Sequence, residues 1–189
     1  MATVSLFAAL AISTDYAMFP LFNIKLMDTI VFVSALAFGL NVGVSVGALT
    51  WLVYGSINPL GSDGGVLLVI LIVSETVYAF LGVLARRMSG FDFASLPEKS
   101  LLWGSMGLIG AFVYDLATII TPTVLSGASF AVAVASLPLA VPFMLAHELS
   151  DFVFFATAGP LLVGVILRVA RTRTGITERG LGPPAQASQ

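Results

Sequence analysis

Apolar residues do not alternate with polar ones along this chain; they run in stretches as long as a helix, and short clusters of charge, Gly, Pro and Asn separate them. Helices that are apolar all round belong in the interior of a large protein or in lipid. A helix-length window predicts six spans, at about 3–20, 27–40, 42–58, 65–86, 100–121 and 143–170. The second and third meet at Gly39-Leu40-Asn41-Val42-Gly43, a tight turn, and the pair is only just long enough for two crossings. Breaks at Pro20 to Lys25, Asn58 to Gly65 and Met88 to Ser100 carry the polar, Gly and Pro residues that loops need. Asp28, just ahead of Thr29-Ile30-Val31, reads as a cap of the second span at the membrane interface.

Composition identifies the surrounding medium. Of 189 residues, 58% are hydrophobic and 10% charged, and the mean hydropathy is +1.05. So short a chain cannot hide that much apolar surface in its own core, so lipid takes the place of water on its outside. The expectation is one all-α integral membrane domain over residues 1–171, a multi-pass protein of the cell membrane, with residues 172–189 as a disordered cytoplasmic tail. Met1 to Ser5 carry no basic residue, and the apolar run that follows outlasts a signal peptide's, so the first segment reads as a retained helix. Cysteine is absent, which removes disulfides and thiolate sites, and a net charge of -2 offers no basic surface to nucleic acid.

Charge also sets the expected topology. With six spans and both termini cytoplasmic, Arg86, Arg87, Lys99, Arg168, Arg171, Arg173 and Arg179 are all inside and only Lys25 is outside. The stretch 126–141 is apolar enough for a seventh span, but that span would export the basic C-terminal cluster. It is therefore expected to form an apolar outer segment, re-entrant or lying at the surface, broken at Pro138 and Pro142. Pro160 is expected to kink the last span.

Ionisable residues inside such spans are costly and point to function. Asp15, Glu75, Asp115, His147 and Asp151 all fall in the outer half of the membrane in this topology, with Glu75 ~13 Å down its helix. His147 and Asp151 are four apart and share a helix face. Together with Tyr114 and the loop residues Phe22 and Asn23, they are expected to line an outward-facing polar cavity, the alternative being acids paired as glue between packed helices. So many carboxylates around one nearby base, Lys25, favour a cationic or neutral hydrogen-bond-donating ligand over an anionic one.

Small residues recur every four positions at Ser5, Ala9, Ser13 and Ala17, and again at Gly43 and Gly47, giving stripes along which another helix can approach closely. Three familiar signatures fail. Gly43-Val44-Ser45-Val46-Gly47 has the letters of a nucleophile elbow but lies within an apolar helix. His147-Glu148-Leu149-Ser150-Asp151 lacks the second His of a zinc protease motif, and no metal or cofactor is expected. No Gly-Lys-Ser/Thr occurs, so the chain has no P-loop with which to use ATP.

The segment from Leu139 to Pro160, with Pro142-Phe143, His147, Ser150-Asp151-Phe152 and Gly159-Pro160 ahead of a basic terminus, resembles the last helix of the substrate-binding S-components of energy-coupling factor vitamin transporters. Gly110 to Thr118 is similar to the fifth helix of that family, and Ala35 to Leu60 to the second and third. Asp151 stands where the family often has Asn. The resemblance implies a six-helix bundle that captures a vitamin-like small molecule on its outer side, then docks through the stripes above on a transmembrane coupling subunit driven by two ATPase subunits. Two rivals stay open: a proton-linked secondary carrier or channel using the same carboxylates as a relay, and an intramembrane enzyme centred on His147.

The topology is tested by single cysteines introduced into this Cys-free chain. A membrane-impermeant reagent applied from outside should label position 62 and fail to label positions 89 and 188; labelling at 188 means an odd number of crossings.

Overall fold

The computed structural model describes residues 1–21, 23–59, 61–89 and 96–174. Among these the chain is all-helical, with α1 at Ala2–Met18, α2 at Met27–Phe38, α3 at Leu40–Tyr54, α4 at Gly65–Ser89, α5 at Leu96–Leu125 and α6 at Phe130–Thr174. Three helices hold segments long and apolar enough to cross a membrane: Gly65–Met88, Lys99–Leu125 and Phe130–Val169. The other three are apolar and shorter. Of the tail expected at 172–189, residues 172–174 continue α6 as helix and 175–189 lie outside the described residues.

The long helices are apolar on two sides for different reasons. On α4, Ile70, Leu71, Glu75, Tyr78, Ala79, Gly82 and Ala85 face inward at helical spacing, while Val66, Val69, Val73, Phe80 and Leu84 face out. On α6, Met144, His147, Asp151, Phe155, Gly159 and Val163 face inward, and Leu145, Leu149, Val153, Leu161 and Val165 face out. Along the middle of these helices the acids and His147 that face inward are buried and the exposed surface is largely apolar, the reverse of a helix on a water-soluble protein, while the exposed arginines lie toward the C-terminal ends.

The centre of the bundle is α2. Every residue from Met27 to Leu36 is buried, because α2 packs against α1, α3, α4 and α6 at once. Its length of 12 residues gives ~18 Å, well short of the ~30 Å hydrocarbon layer. Surrounded by protein, it has no lipid to match. The chain reverses into α3 at a single residue, Gly39, whose φ of 98° suits glycine and whose N–H bonds the carbonyl of Ala35.

The structure corrects two expectations here. Asp28 does not cap α2: it is the second residue of the helix, makes no capping bond, and is buried at 2% exposure. The segment 126–141 is not broken at Pro138 and Pro142. After a turn at 126–129, α6 runs without interruption from Phe130 through Pro138, Pro142 and Pro160 for 45 residues, ~67 Å. Both earlier prolines are exposed, so their rings and missing N–H groups fall on an outer face of the helix. The charge asymmetry argues against a separate seventh span without bearing on a helical extension of the sixth.

α5 and α6 form the most extensive helix pair, and glycines set their separation. A Cβ on Gly107 would stand 2.7 Å from the carbonyl oxygen of Asp151 and 2.7 Å from the ring of Phe155. The α6 backbone therefore approaches α5 closely at the level of the buried acid. Gly107→Val should cost about 1–3 kcal/mol by forcing the pair apart, whereas Gly164→Ala, where a Cβ meets nothing within 4 Å, should be near neutral. Unfolding in mixed micelles measures both.

Candidate functional site

His147 is the hub of the buried polar groups. Its Nδ1 lies 2.9 Å from Asp115 Oδ1 on α5, and its Nε2 lies 3.1 Å from Asp28 Oδ2 on α2. The Tyr78 hydroxyl of α4 is 3.4 Å from the same Nε2, and Asp151 Oδ2, one turn along α6, is 3.9 Å away. An imidazole that meets carboxylate oxygens at both nitrogens donates to both only as the imidazolium; otherwise one of the carboxyls carries the proton. All five side chains are buried.

One base is not enough for the acids around it. Neither oxygen of Asp151, and only one oxygen of Asp115, has a hydrogen-bond partner, and the Tyr114 hydroxyl has none. Glu75 takes one hydrogen bond, donated by the Trp51 indole N–H at 3.0 Å, and its other oxygen has no partner. Three aspartates share the one imidazole, which cannot serve as counter-charge to all of them. Unpaired buried polar atoms of this kind cost about 1–3 kcal/mol each unless something meets them.

Aromatic rings wall the cluster. Tyr114 stacks on Trp51 with centroids 6.5 Å apart and meets His147 edge-on at 5.6 Å, while Tyr78 contacts both Tyr114 and Phe155. Beyond Trp51 lies Lys25, its ammonium 4.2 Å from the indole centroid and 5.9 Å from the Tyr54 ring.

Two cavities open beside these groups. The larger, ≈ 450 Å³, is bordered by Asp15, Lys25, Trp51, Tyr54 and Asp63. The smaller, ≈ 270 Å³, reaches Tyr114, Asp115 and Thr118. Asn23, Lys25 and Phe143 border both. Asn23 adopts a left-handed φ of 53° and donates from Nδ2 to the Phe143 carbonyl at 3.0 Å, tying the α1–α2 loop to α6. In the loop between α3 and α4, partial burial pushes the Asp63 carboxyl up, against the opposing effects of Lys25 and a hydrogen bond from Asn58.

Of the residues singled out from the sequence, Tyr114, Asp115, His147 and Asp151 meet directly, and Glu75 joins them through Trp51 and its ring contact with Tyr114. Asp15 is buried beside the larger cavity and takes no part in the His147 contacts. Asn23 borders both cavities, and Phe22 lies outside the described residues. Ser5, Ala9, Ser13 and Ala17 are all exposed on one face of α1, opposite buried Phe7, Ala8, Ala11 and Asp15. Gly43 and Gly47 are elsewhere: a Cβ on Gly43 would strike Ala35 at 2.5 Å, and one on Gly47 would strike Glu75 at 2.7 Å. That pair faces inward and serves close packing of α3 on α2 and α4, so it does not fit the outward docking role expected of it.

Asp28 is the member that sequence reasoning assigns elsewhere, and in the sequence Tyr78 reads as a packing or interfacial aromatic as easily as a pocket wall, while nothing singles out Trp51. The signal for Asp28 is that the helix behind it has no polar face at all, which leaves an acid at its start with protein on every side. No protein-family model, curated protein or solved structure matches the chain.

Removing His147 should expose the dependence of the fold on this hub. His147→Leu leaves Asp28 and Asp115 without a counter-charge and should cost about 3–5 kcal/mol. Adding Asp28→Asn and Asp115→Asn should recover part of the loss, which unfolding of the single and triple variants in micelles will measure.

Proposed function

We propose that the chain is a membrane-embedded capture subunit, which binds a cationic or hydrogen-bond-donating small molecule from the outer side for uptake energised by separate subunits. The observation that carries this reading is the buried acidic cluster of Asp28, Asp115 and Asp151 around His147, open at Asp115 to a cavity and set inside helices whose outer faces are largely apolar. A buried carboxylate without a partner is an unmet demand for positive charge or for a donor, and a ligand that supplies it recovers the desolvation cost.

Several features support the wider arrangement. Three of the six helices are long and apolar enough to cross the membrane, and with the shorter three completing the bundle, the basic residues at the ends of α4 and α6 favour both termini on the cytoplasmic side of the cell membrane. Lacking a P-loop, the chain draws on no ATP itself, in keeping with the resemblance to S-components and with a coupling subunit and two ATPase subunits as partners. The exposed small-residue face of α1 is the surface offered to the coupling subunit, since close backbone approach is a main source of helix association in lipid. A proton-linked carrier is the second reading, favoured by one observation: His147 contacts carboxylates on two different helices, so a proton can pass from one to the other across the ring.

Mass spectrometry of the small molecule that co-purifies with the protein identifies the ligand. Asp115→Asn, Asp151→Asn and Glu75→Gln should each weaken its binding by about tenfold or more while expression persists; wild-type affinity in all three removes the site. Ala9→Trp should preserve ligand affinity in the isolated chain and abolish both co-purification with the coupling subunit and uptake. Uptake by the chain alone, driven by a proton gradient, would select the carrier instead.

A further inference from the structure

Asp28, His147 and Asp151 form a triangle rather than a row, with the Tyr78 hydroxyl beside it at 3.4 Å from His147 Nε2. Asp28 Oδ2 is 3.1 Å from Nε2 and Asp151 Oδ2 is 3.9 Å from it, and one ligand atom from each of Asp28, His147 and Asp151 lies within 4.8 Å of the others. Donors about 2.0–2.2 Å from a common ion in tetrahedral geometry are separated from one another by roughly 3.3–3.6 Å, and the two observed distances to Nε2 bracket that range.

Two further features distinguish this triangle from a chance meeting of acids. Asp151 is 0% exposed and neither of its oxygens is hydrogen-bonded, so the imidazole at 3.9 Å, which already meets Asp28 and Asp115, is the one base beside this buried carboxylate among the described residues. On the opposite side of the ring, Asp115 Oδ1 sits 2.9 Å from Nδ1. A carboxylate on one imidazole nitrogen fixes the tautomer and turns the other nitrogen, as a lone-pair donor, toward a metal. Asp115 also borders the smaller cavity, which provides an approach to the triangle.

We propose that Asp28, His147 and Asp151 bind a single divalent transition-metal ion, with Asp115 as a positioning residue that orients the imidazole. One imidazole nitrogen and two carboxylates, in a chain without cysteine, suit Zn²⁺, Co²⁺ or Mn²⁺ over Cu⁺, which seeks sulfur, and over Mg²⁺ or Ca²⁺, which seek oxygen alone. The ion's role as captured cation rests on the uptake reading above, and it makes the positive charge that this cluster lacks a metal's rather than an organic molecule's. The site itself stands on the geometry.

The test uses the full chain, purified in detergent, stripped with chelator and titrated with Co²⁺ while visible absorption and elemental analysis are followed. The expected result is one Co²⁺ per chain, displaced by Zn²⁺ and not by excess Mg²⁺. His147→Gln and Asp151→Asn should weaken binding about 100-fold or more, and Asp115→Asn about 10–100-fold with a changed Co²⁺ spectrum that Asp115→Glu restores in part. Glu148→Gln should leave binding unchanged. Elution of each variant as a monodisperse species verifies folding. Failure of the wild-type chain to bind Co²⁺ or Zn²⁺ stoichiometrically, displacement by Mg²⁺, or unchanged binding in folded His147→Gln and Asp151→Asn overturns the proposal. An organic cation that co-purifies in place of any metal and depends on Asp115 and Asp151 overturns the metal site and leaves the capture reading intact. Stoichiometric Co²⁺ with no uptake in the presence of the coupling and ATPase subunits does the opposite.

Discussion

The contact on which the rest of this structure depends is the imidazole of His147 held between Asp115 and Asp28. In an apolar interior an isolated carboxylate is prohibitively expensive, and the mutual attraction of ions offsets desolvation only when geometry and hydrogen bonds are good. The net stabilisation from such a pairing is therefore small. Its effect is on specificity: any slide of α2, α5 or α6 past the others strands at least one charge, so the three helices share one acceptable register.

That constraint explains where close packing is concentrated. α5 has glycine at positions 104, 107 and 110, and Gly107 lets the α6 backbone approach at the level of Asp151, bringing the side chains of the two helices within hydrogen-bond reach. Gly47 does the same for α3 beside Glu75. Around the polar groups, Trp51, Tyr78, Tyr114 and Phe155 contribute large rigid surfaces that keep water out, and a low local dielectric strengthens every electrostatic contact inside. The same seal raises the cost of each oxygen left unpaired, and of the acids around His147 only Asp151 has neither oxygen hydrogen-bonded.

The bundle thus separates two tasks by face. Outward aliphatic side chains on α4, α5 and α6 satisfy an apolar surrounding, and inward polar ones form a negative interior adjoining two cavities that share Asn23, Lys25 and Phe143. The only cation seen at the larger cavity among the described residues, Lys25, rests on Trp51, whose indole N–H bonds Glu75. The chain's own ammonium and the buried acids are thereby linked through one aromatic ring.

The residues alone determined that this protein is helical, that its helices are apolar on their outer faces, roughly where each begins and ends apart from the start of α6, and that Asp115, His147, Asp151 and Glu75 are out of place in such helices. Those properties are local: they follow from hydropathy over a window and from the cost of charge in an apolar medium. Only the tertiary structure decided which acid answers which base. Asp28 is 119 positions from His147, and at its own location it looks like an ordinary cap; its role comes from α2 being enclosed by four other helices. The inward direction of Gly43 and Gly47 was likewise illegible, because a stripe of small residues prepares close approach without saying to which helix. The uninterrupted path of α6 through Pro138 and Pro142 had the same origin, since the tolerance of a proline depends on which face it occupies, and that face is defined by the neighbours a helix packs against.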